Sequence, residues 1–315
     1  MIHPSVIDLI HHDDFLLLPD FSRKFKTHLK IEGFNVGCSI KLKAAKNMLE
    51  SLEHKGIVRS GAKIIESSSG NLGLALSIIC ATKNYKFTCV SDPNISPQTA
   101  RMIKAYGSEL VIIKEKDING GYLGKRLEFI NQRLEKEPEL IWVNQYRNED
   151  NVLAHYKYTG PEILRNFSKV DYIFIGAGTT GTLGGVSRYA KEVSPQTKIV
   201  AIDTVGSVTF GGKGKTRKIP GLGTSKSPYI AKYSIFDDML MIHEEDTVNM
   251  CLQIAKRGLL IGGSTGTVLC GVRQYEQKIT DGATVVAISP DLGDRYINTI
   301  YNPEWVSENF PSIAI

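Results

Sequence analysis

The sequence predicts an α/β protein built as two three-layer α/β/α domains in succession. Three observations predict it. Apolar, strand-like runs alternate with helix-patterned segments along most of the chain, as in parallel βαβ units whose sheets are covered on both faces. Glycine-rich turns stand where a strand gives way to a helix. A length of 315 residues corresponds to about two domains, and a division near residue 150 leaves the alternation intact on either side, in 1–150 and 151–315.

The elements follow in chain order. The segment between Ser39 and Gly56 predicts a helix with Ser39 as N-cap and an apolar face of Ala44, Ala45, Met48, Leu49 and Leu52. Residues 62–66 read as a strand and 71–82 as an apolar helix. A strand at 86–90 precedes a helix over 96–106, entered through Ser96-Pro97 and stopped by Gly107. A strand at 109–113 and a helix over about 122–134 complete the first half. The second half repeats the pattern with strands at 172–175, 198–202 and 283–288 and helices over 182–193, 247–256 and 265–277. Residues 206–227 are rich in Gly, Lys and Ser without a period. That stretch is too long for an ordinary connection, so it is either a functional loop or disordered.

Composition narrows the function classes. Lys and Arg total 38 against 33 Asp and Glu, a net charge of +5. The basic residues are scattered, which argues against nucleic-acid binding, while the surplus favours anionic substrates. The five cysteines, Cys38, Cys80, Cys89, Cys251 and Cys270, are odd in number and lack metal-ligand spacing, which fits a reducing compartment. Residues 1–21 lack a basic leader and are interrupted by acids and Pro19, unlike a signal peptide. Apolar runs such as 72–81 are too short to span a membrane. These features predict a soluble cytoplasmic protein without metal, membrane or nucleic-acid partner. His11-His12 is an isolated pair on a terminus expected to be exposed. The run 211–216 misses the P-loop because Thr209 stands where a glycine is required.

Three glycine loops carry candidate chemistry. Gly176-Ala-Gly178-Thr179-Thr180-Gly181-Thr182 follows a strand and opens a helix. Converging backbone N–H groups and a helix N-terminus suit a phosphate. The spacing also matches the dinucleotide fingerprint, with Asp203 at the end of the next strand as the ribose-binding acid. Glu66-Ser67-Ser68-Ser69-Gly70-Asn71-Leu72-Gly73 offers hydroxyls, an amide and free N–H groups suited to a carboxylate, although the same residues also serve as a helix cap. Gly262-Gly263-Ser264-Thr265-Gly266-Thr267 opens a third helix, where Ser264 either caps or donates to a ligand nitrogen. Lys41 falls in the first turn of its helix, where a cation opposes the dipole; from that segment alone it reads as a solvated lysine.

Taken together and in order, these segments resemble the fold-type II pyridoxal-phosphate enzymes, in particular the cysteine synthase and cystathionine β-synthase family, from about Lys30 to Trp305. The resemblance implies the tryptophan synthase β-like fold with pyridoxal 5'-phosphate between the two domains. Asn35-Val36-Gly37-Cys38-Ser39-Ile40-Lys41 is similar to the segment whose lysine forms the Schiff base, which makes Lys41 the catalytic residue. Ser68, Ser69 and Gly70 match the substrate-carboxylate loop, and Asn71 the position that meets the cofactor's 3′-oxygen. Gly178, Thr179, Thr180, Gly181 and Thr182 resemble the phosphate cradle, and Ser264 the hydroxyl facing the pyridine nitrogen. Asn144-Gln145-Tyr146 resembles a segment lining the site, with Gln145 on the substrate side.

A narrower set of segments, 119–126, 206–211, 220–225 and 291–296, resembles the staphyloferrin B-type siderophore-pathway N-(2-amino-2-carboxyethyl)-L-glutamate synthases. This implies replacement of the phosphate of O-phospho-L-serine by the amine of L-glutamate, a route to 2,3-diaminopropionate. By that resemblance Arg126 and Tyr146 contact phosphoserine and product. The chain departs from the family at Val36 and Cys38, where Pro and Gly are usual, and at Leu42-Lys43, where Asp-Arg is usual. It carries Gly178 where the siderophore enzymes have Ser, and it lacks the usual Ile-Gly-Asn-Thr-Pro opening. Small amino-acid substrates and a homodimer are expected from the family. Three other readings stay open at this point: a cysteine or cystathionine synthase with a thiol acceptor, a nicotinamide oxidoreductase, and a non-catalytic homologue.

Overall fold

The computed structural model describes residues 2–118 and 120–313; Asn119, part of one segment singled out above, lies outside them. Among the described residues, ten strands and ten α-helices carry the fold. In chain order they are β1 (Phe15–Leu18), β2 (Lys26–Ile31), α1 (Lys41–His54), β3 (Lys63–Ser67), α2 (Asn71–Lys83), β4 (Lys86–Ser91), α3 (Pro97–Ala105), β5 (Glu109–Ile112), α4 (Leu123–Lys136), β6 (Leu140–Trp142), α5 (Asp150–Ala154), α6 (Gly160–Arg165), β7 (Tyr172–Gly176), α7 (Gly181–Val193), β8 (Lys198–Thr204), β9 (Asp238–Ile242), α8 (Glu244–Ala255), α9 (Gly263–Gln274), β10 (Thr284–Ser289) and α10 (Pro303–Asn309).

The strands form two sheets. One has four strands in the order β5-β4-β3-β6, and the other six in the order β1-β2-β10-β7-β8-β9. Every pairing is parallel except β1 with β2. Successive residues of a strand point to opposite faces, and both faces are buried. Phe174, Val200 and Val285 enter one core, while Ile173, Ile199 and Val286 enter another. Ile64 and Phe87 separate from Ile65 and Val90 in the same way. This is the physical content of a three-layer α/β/α arrangement, as predicted.

The six-stranded sheet takes β1 and β2 from before residue 150 and its remaining strands from after it. The sequence reading did not register β2, because Lys-Thr-His-Leu-Lys-Ile does not look like a strand buried on both faces. Lys30 is nevertheless fully buried. Its Nζ lies 3.2 Å from Glu32 and 2.8 Å from Glu162, and Lys43 Nζ lies 2.9 Å from Glu32 and 2.6 Å from Glu162. Buried charges persist only when paired, and this quartet pairs two of each sign. His12 adds a hydrogen bond of 2.5 Å between its Nδ1 and Glu162; of the pair expected to be exposed, His11 is, and His12 is half-buried by this contact.

Ser39 is not the N-cap of α1. It is fully buried, pairs its backbone with Asp291, and turns its hydroxyl to Gly37 O at 3.4 Å. Ile40 precedes the helix in right-handed geometry instead. The helix expected over 265–277 is α9, which ends at Gln274 and is followed by a short 3-10 turn over Glu276–Lys278. The 206–227 stretch has a defined path: Val208 N–H donates to Thr224 O and Lys215 N–H to Gly206 O. It packs on the other domain through Ser225 Oγ, which donates to Asp117 Oδ2 at 2.8 Å. No described helix is long and apolar enough to cross a membrane. Among the described residues there is no cluster of His, Cys, Asp and Glu suited to a metal.

Candidate active site

Ligand loops of open α/β sheets gather beyond the carboxyl ends of the strands. Here those ends carry all three glycine loops. The loop after β7 leads into α7 with Thr180 in the left-handed region, φ +68°. A β-branched residue there is strained. The backbone N–H groups of Gly178, Thr179, Thr180, Gly181 and Thr182 have no acceptor among the described residues. Thr180 Oγ1 is likewise buried without a partner. A Cβ at Gly178 would come within 2.9 Å of Gly221 O, and one at Gly181 within 2.1 Å of Asn151 Oδ1. Five backbone donors without acceptors at a helix N-terminus, closed in by Gly221 O and the Asn151 amide, are the chemistry a phosphate requires.

Residues outside the sequence expectation support this cradle. Asn151 Nδ2 donates to Gln145 O at 2.9 Å and to Thr179 Oγ1 at 3.2 Å, so one amide joins two of the predicted segments. His155 Nε2 lies 3.3 Å from Thr182 Oγ1, and its Nδ1 lies 2.9 Å from Thr159 Oγ1. Burial, reinforced by the nearby positive Lys41 and Lys43, holds His155 neutral. It sits in a π-helical turn, His155–Thr159, and Gly185 lets that turn approach α7: a Cβ there would come 2.6 Å from His155 Cβ and from Tyr156 N. Nothing in the spacing of Asn151 or His155 marks them; only packing brings them here.

The loop after β3 leads into α2. Ser68 acts as the cap: its Oγ accepts from Gly70 N–H at 3.2 Å and Gly73 N–H at 2.9 Å. Its own N–H donates to Val90 O, so Ser68 has no backbone donor left for a ligand, a correction to its expected part in a carboxylate clamp. The N–H groups of Ser69 and Asn71 have no acceptor among the described residues. Gln145 is buried with Nε2 donating to Ser67 O at 2.7 Å, and its backbone N–H donates to Glu66 Oε2 at 3.1 Å. Burial pushes the Glu66 carboxyl up to about 7.

Lys41 opens α1 within electrostatic reach of Asp291 and His155. Withdrawal from water pulls its ammonium down to about 8, against the opposing pull of Asp291. Much more of the reactive amine is thus present near neutrality than for a solvated lysine. Ser264, on the first turn of α9, lies against Gly221, where a Cβ would stand 2.3 Å from Ser264 Oγ. Arg126, in α4, is 6% exposed and lies 3.5 Å from Asp92 Oδ2, yet its Nε and Nη1 are buried without a hydrogen-bond partner. Tyr146 is near enough to Arg126 for its hydroxyl to feel that charge, although burial raises its pKa overall. Asp203, the acid of the dinucleotide reading, is buried and accepts Thr204 N–H at 2.7 Å.

The family described as pyridoxal-phosphate dependent enzyme matches residues 13–291 of this chain. Among solved structures, a hydrogen sulfide-producing enzyme from Fusobacterium nucleatum is 32% identical and superimposes with a TM-score of 0.87, over 94% of this chain and 100% of its own. An O-acetylserine dependent cystathionine β-synthase from Helicobacter pylori is 26% identical, with a TM-score of 0.87 over 96% and 100% of the two chains. O-ureido-L-serine synthase is 26% identical, with a TM-score of 0.87 over 100% and 98%.

Proposed function

The chain belongs to the pyridoxal-phosphate dependent enzyme family, and on that premise we propose that it replaces the β-substituent of an activated L-serine, with O-phospho-L-serine as donor and the amine of L-glutamate as acceptor. The observation that carries the donor is Arg126: a buried guanidinium, ion-paired to Asp92 only at 3.5 Å, whose Nε and Nη1 have no hydrogen-bond partner, suits a further anion. Resemblance to the siderophore-pathway synthases supplies the acceptor, and with it small amino-acid substrates, a cytoplasmic setting and a homodimer.

Pyridoxal phosphate supplies an electron sink that loosens the α-proton of a bound amino acid and lets a β-substituent leave. Lys41 would hold the cofactor through its amine. Its lowered pKa suits it to take the α-proton and later return it. The N–H groups from Gly178 to Thr182 would bind the cofactor phosphate, with Thr182 backed by neutral His155. Ser264 would meet the ring nitrogen with a neutral hydroxyl. Ser69 and Asn71 would take the substrate carboxylate through their free N–H groups, Gly70 having given its own to Ser68 Oγ, with Gln145 and Tyr146 walling the substrate side and Arg126 receiving the phosphate that departs.

A thiol acceptor is the second reading, favoured by the likeness to the hydrogen sulfide-producing and cystathionine β-synthase structures. The nicotinamide reading does not survive family membership together with the committed carboxylate of Asp203. One experiment separates the rest. The absorption band of the cofactor-loaded protein is recorded as O-phospho-L-serine is added, then as glutamate or a thiol follows. The reading expects a band shift with phosphoserine that glutamate reverses, and loss of both in Lys41→Ala. Reversal only by thiols selects the second reading, and a band indifferent to phosphoserine while answering O-acetylserine removes the proposed donor.

A further inference from the structure

Asn71 is held from both ends. Its Nδ2 donates to Asp291 Oδ2 at 2.7 Å, and its Oδ1 accepts from Arg295 Nη1. A second guanidinium nitrogen, Nη2, donates to Gly37 O at 2.7 Å, in the loop that carries Lys41. Asp291 Oδ2 also accepts from Tyr296 Oη at 2.8 Å. Asp291 and Arg295 follow β10, whereas Asn71 follows β3, so the contact crosses between the two sheets.

The chemistry of the two partners removes the usual ambiguity of an amide. A guanidinium has only donors and must face the oxygen, and Asp291 Oδ2, which also accepts from Tyr296, serves as an acceptor and must face the nitrogen. Turning Asn71 over would set donor against donor and acceptor against acceptor. With Oδ1 facing arginine and one Nδ2–H committed to aspartate, what the amide retains for the cleft is its second N–H. Resting on the reading that Asn71 meets the cofactor's 3′-oxygen, we propose that Asp291 and Arg295 are positioning residues. They lock the Asn71 amide as a donor toward that oxygen, and Arg295 ties this orientation to the Lys41 loop. Neither residue is itself catalytic. The short turn over Gly293–Tyr296 thereby acts as a latch on two loops of the site from the opposite sheet.

The test uses the full-length protein, stripped of cofactor and titrated with pyridoxal phosphate, for wild type, Asn71→Ala, Arg295→Met, Arg295→Lys, Asp291→Asn and the Asn71→Ala/Arg295→Met double variant. Thermal unfolding of each stripped protein identifies variants that do not fold. Loss of one oriented hydrogen bond predicts about tenfold weaker cofactor binding in Arg295→Met. It also predicts a shift of the bound cofactor's absorption from the longer- to the shorter-wavelength band, because a donor to the 3′-oxygen favours its ionised form. Arg295→Lys, still a pure donor, should restore the band ratio, and Arg295→Met should add nothing once Asn71 is Ala. If Asn71→Ala moves band and affinity while Arg295→Met and Asp291→Asn match wild type, the latch is overturned and the Asn71 reading stands. If Asn71→Ala itself changes neither, the reading beneath the proposal fails, and the proposal with it. Should Arg295→Met not fold, Asp291→Ala, which removes the acceptor that holds Asn71 Nδ2, carries the same comparison.

Discussion

Cys38 adopts φ +48°, the left-handed region that an L side chain enters at a cost of about 1–2 kcal/mol. It is also one of the positions where the sequence departs from the resembled family, which usually has glycine there. The backbone has kept the glycine conformation although the residue has changed. Gly37 N–H at 2.9 Å and Cys38 N–H, which donates to Asn35 O at 2.8 Å, hold the turn in place. Cys38→Gly should therefore stabilise the chain, by roughly 0.5–1 kcal/mol once the larger unfolded-state freedom of glycine is subtracted. The midpoint of urea unfolding checks it, and an unchanged or lowered midpoint would show that the thiol's own packing outweighs the strain. Thr180 carries the same strain at φ +68° in the loop of free N–H groups, where the conformation aims those groups inward. Lys41 completes this scale: the residue type was legible in the sequence, whereas its lowered pKa comes from enclosure and could not be read from its neighbours in the chain.

At the scale of elements, the quartet of Lys30, Glu32, Lys43 and Glu162 binds β2, α1 and α6 into one unit. Lys43 stands directly after the pair Lys41-Leu42, where the family usually has arginine, and its burial at 2% exposure shows what the change accommodates. Burial would raise the Glu162 carboxyl, but the His12 hydrogen bond and the charges of Lys43 and Lys30 bring it down to about 2. A carboxyl lowered in the folded state binds fewer protons than in the unfolded chain. Its stabilisation is thus complete above the ordinary carboxylate value near 4.5 and is lost as pH falls toward 2. Glu162→Gln leaves two buried lysines short of a counter-charge, so it should cost about 3–5 kcal/mol near neutrality. It should also flatten the fall of stability between pH 4.5 and 2. Denaturant titrations across that range measure both, and a variant as acid-sensitive as wild type would contradict the assignment. The charged strand β2 itself was illegible in the sequence because its polar residues are paid for by partners far along the chain.

For the whole molecule, the loop Gly178 to Thr182, proposed for the phosphate, belongs to the six-stranded sheet and Asn71 to the four-stranded one, so a cofactor held by both should stabilise the two together. At a hundredfold excess over its dissociation constant, pyridoxal phosphate should add about 2.7 kcal/mol, a rise of roughly 4 °C in unfolding temperature for a chain of this size. A scan of unfolding temperature against cofactor concentration measures this. Two separate transitions, with only one moving, would show that the sheets do not share the ligand. What the sequence by itself determined was the alternation of strand and helix and the three glycine loops. Those signals are local, because a strand buried on both faces needs an apolar run and an anion loop needs small residues at a helix start. Only the tertiary structure decided that β1 and β2 join the later sheet, that Ser39 is no cap, that Ser68 spends its backbone N–H on Val90, and that Asn151, His155, Asp291 and Arg295 converge on the site. Their partners lie at distant positions of the chain, and a hydrogen bond or ion pair leaves no mark on spacing until the fold brings its two halves together.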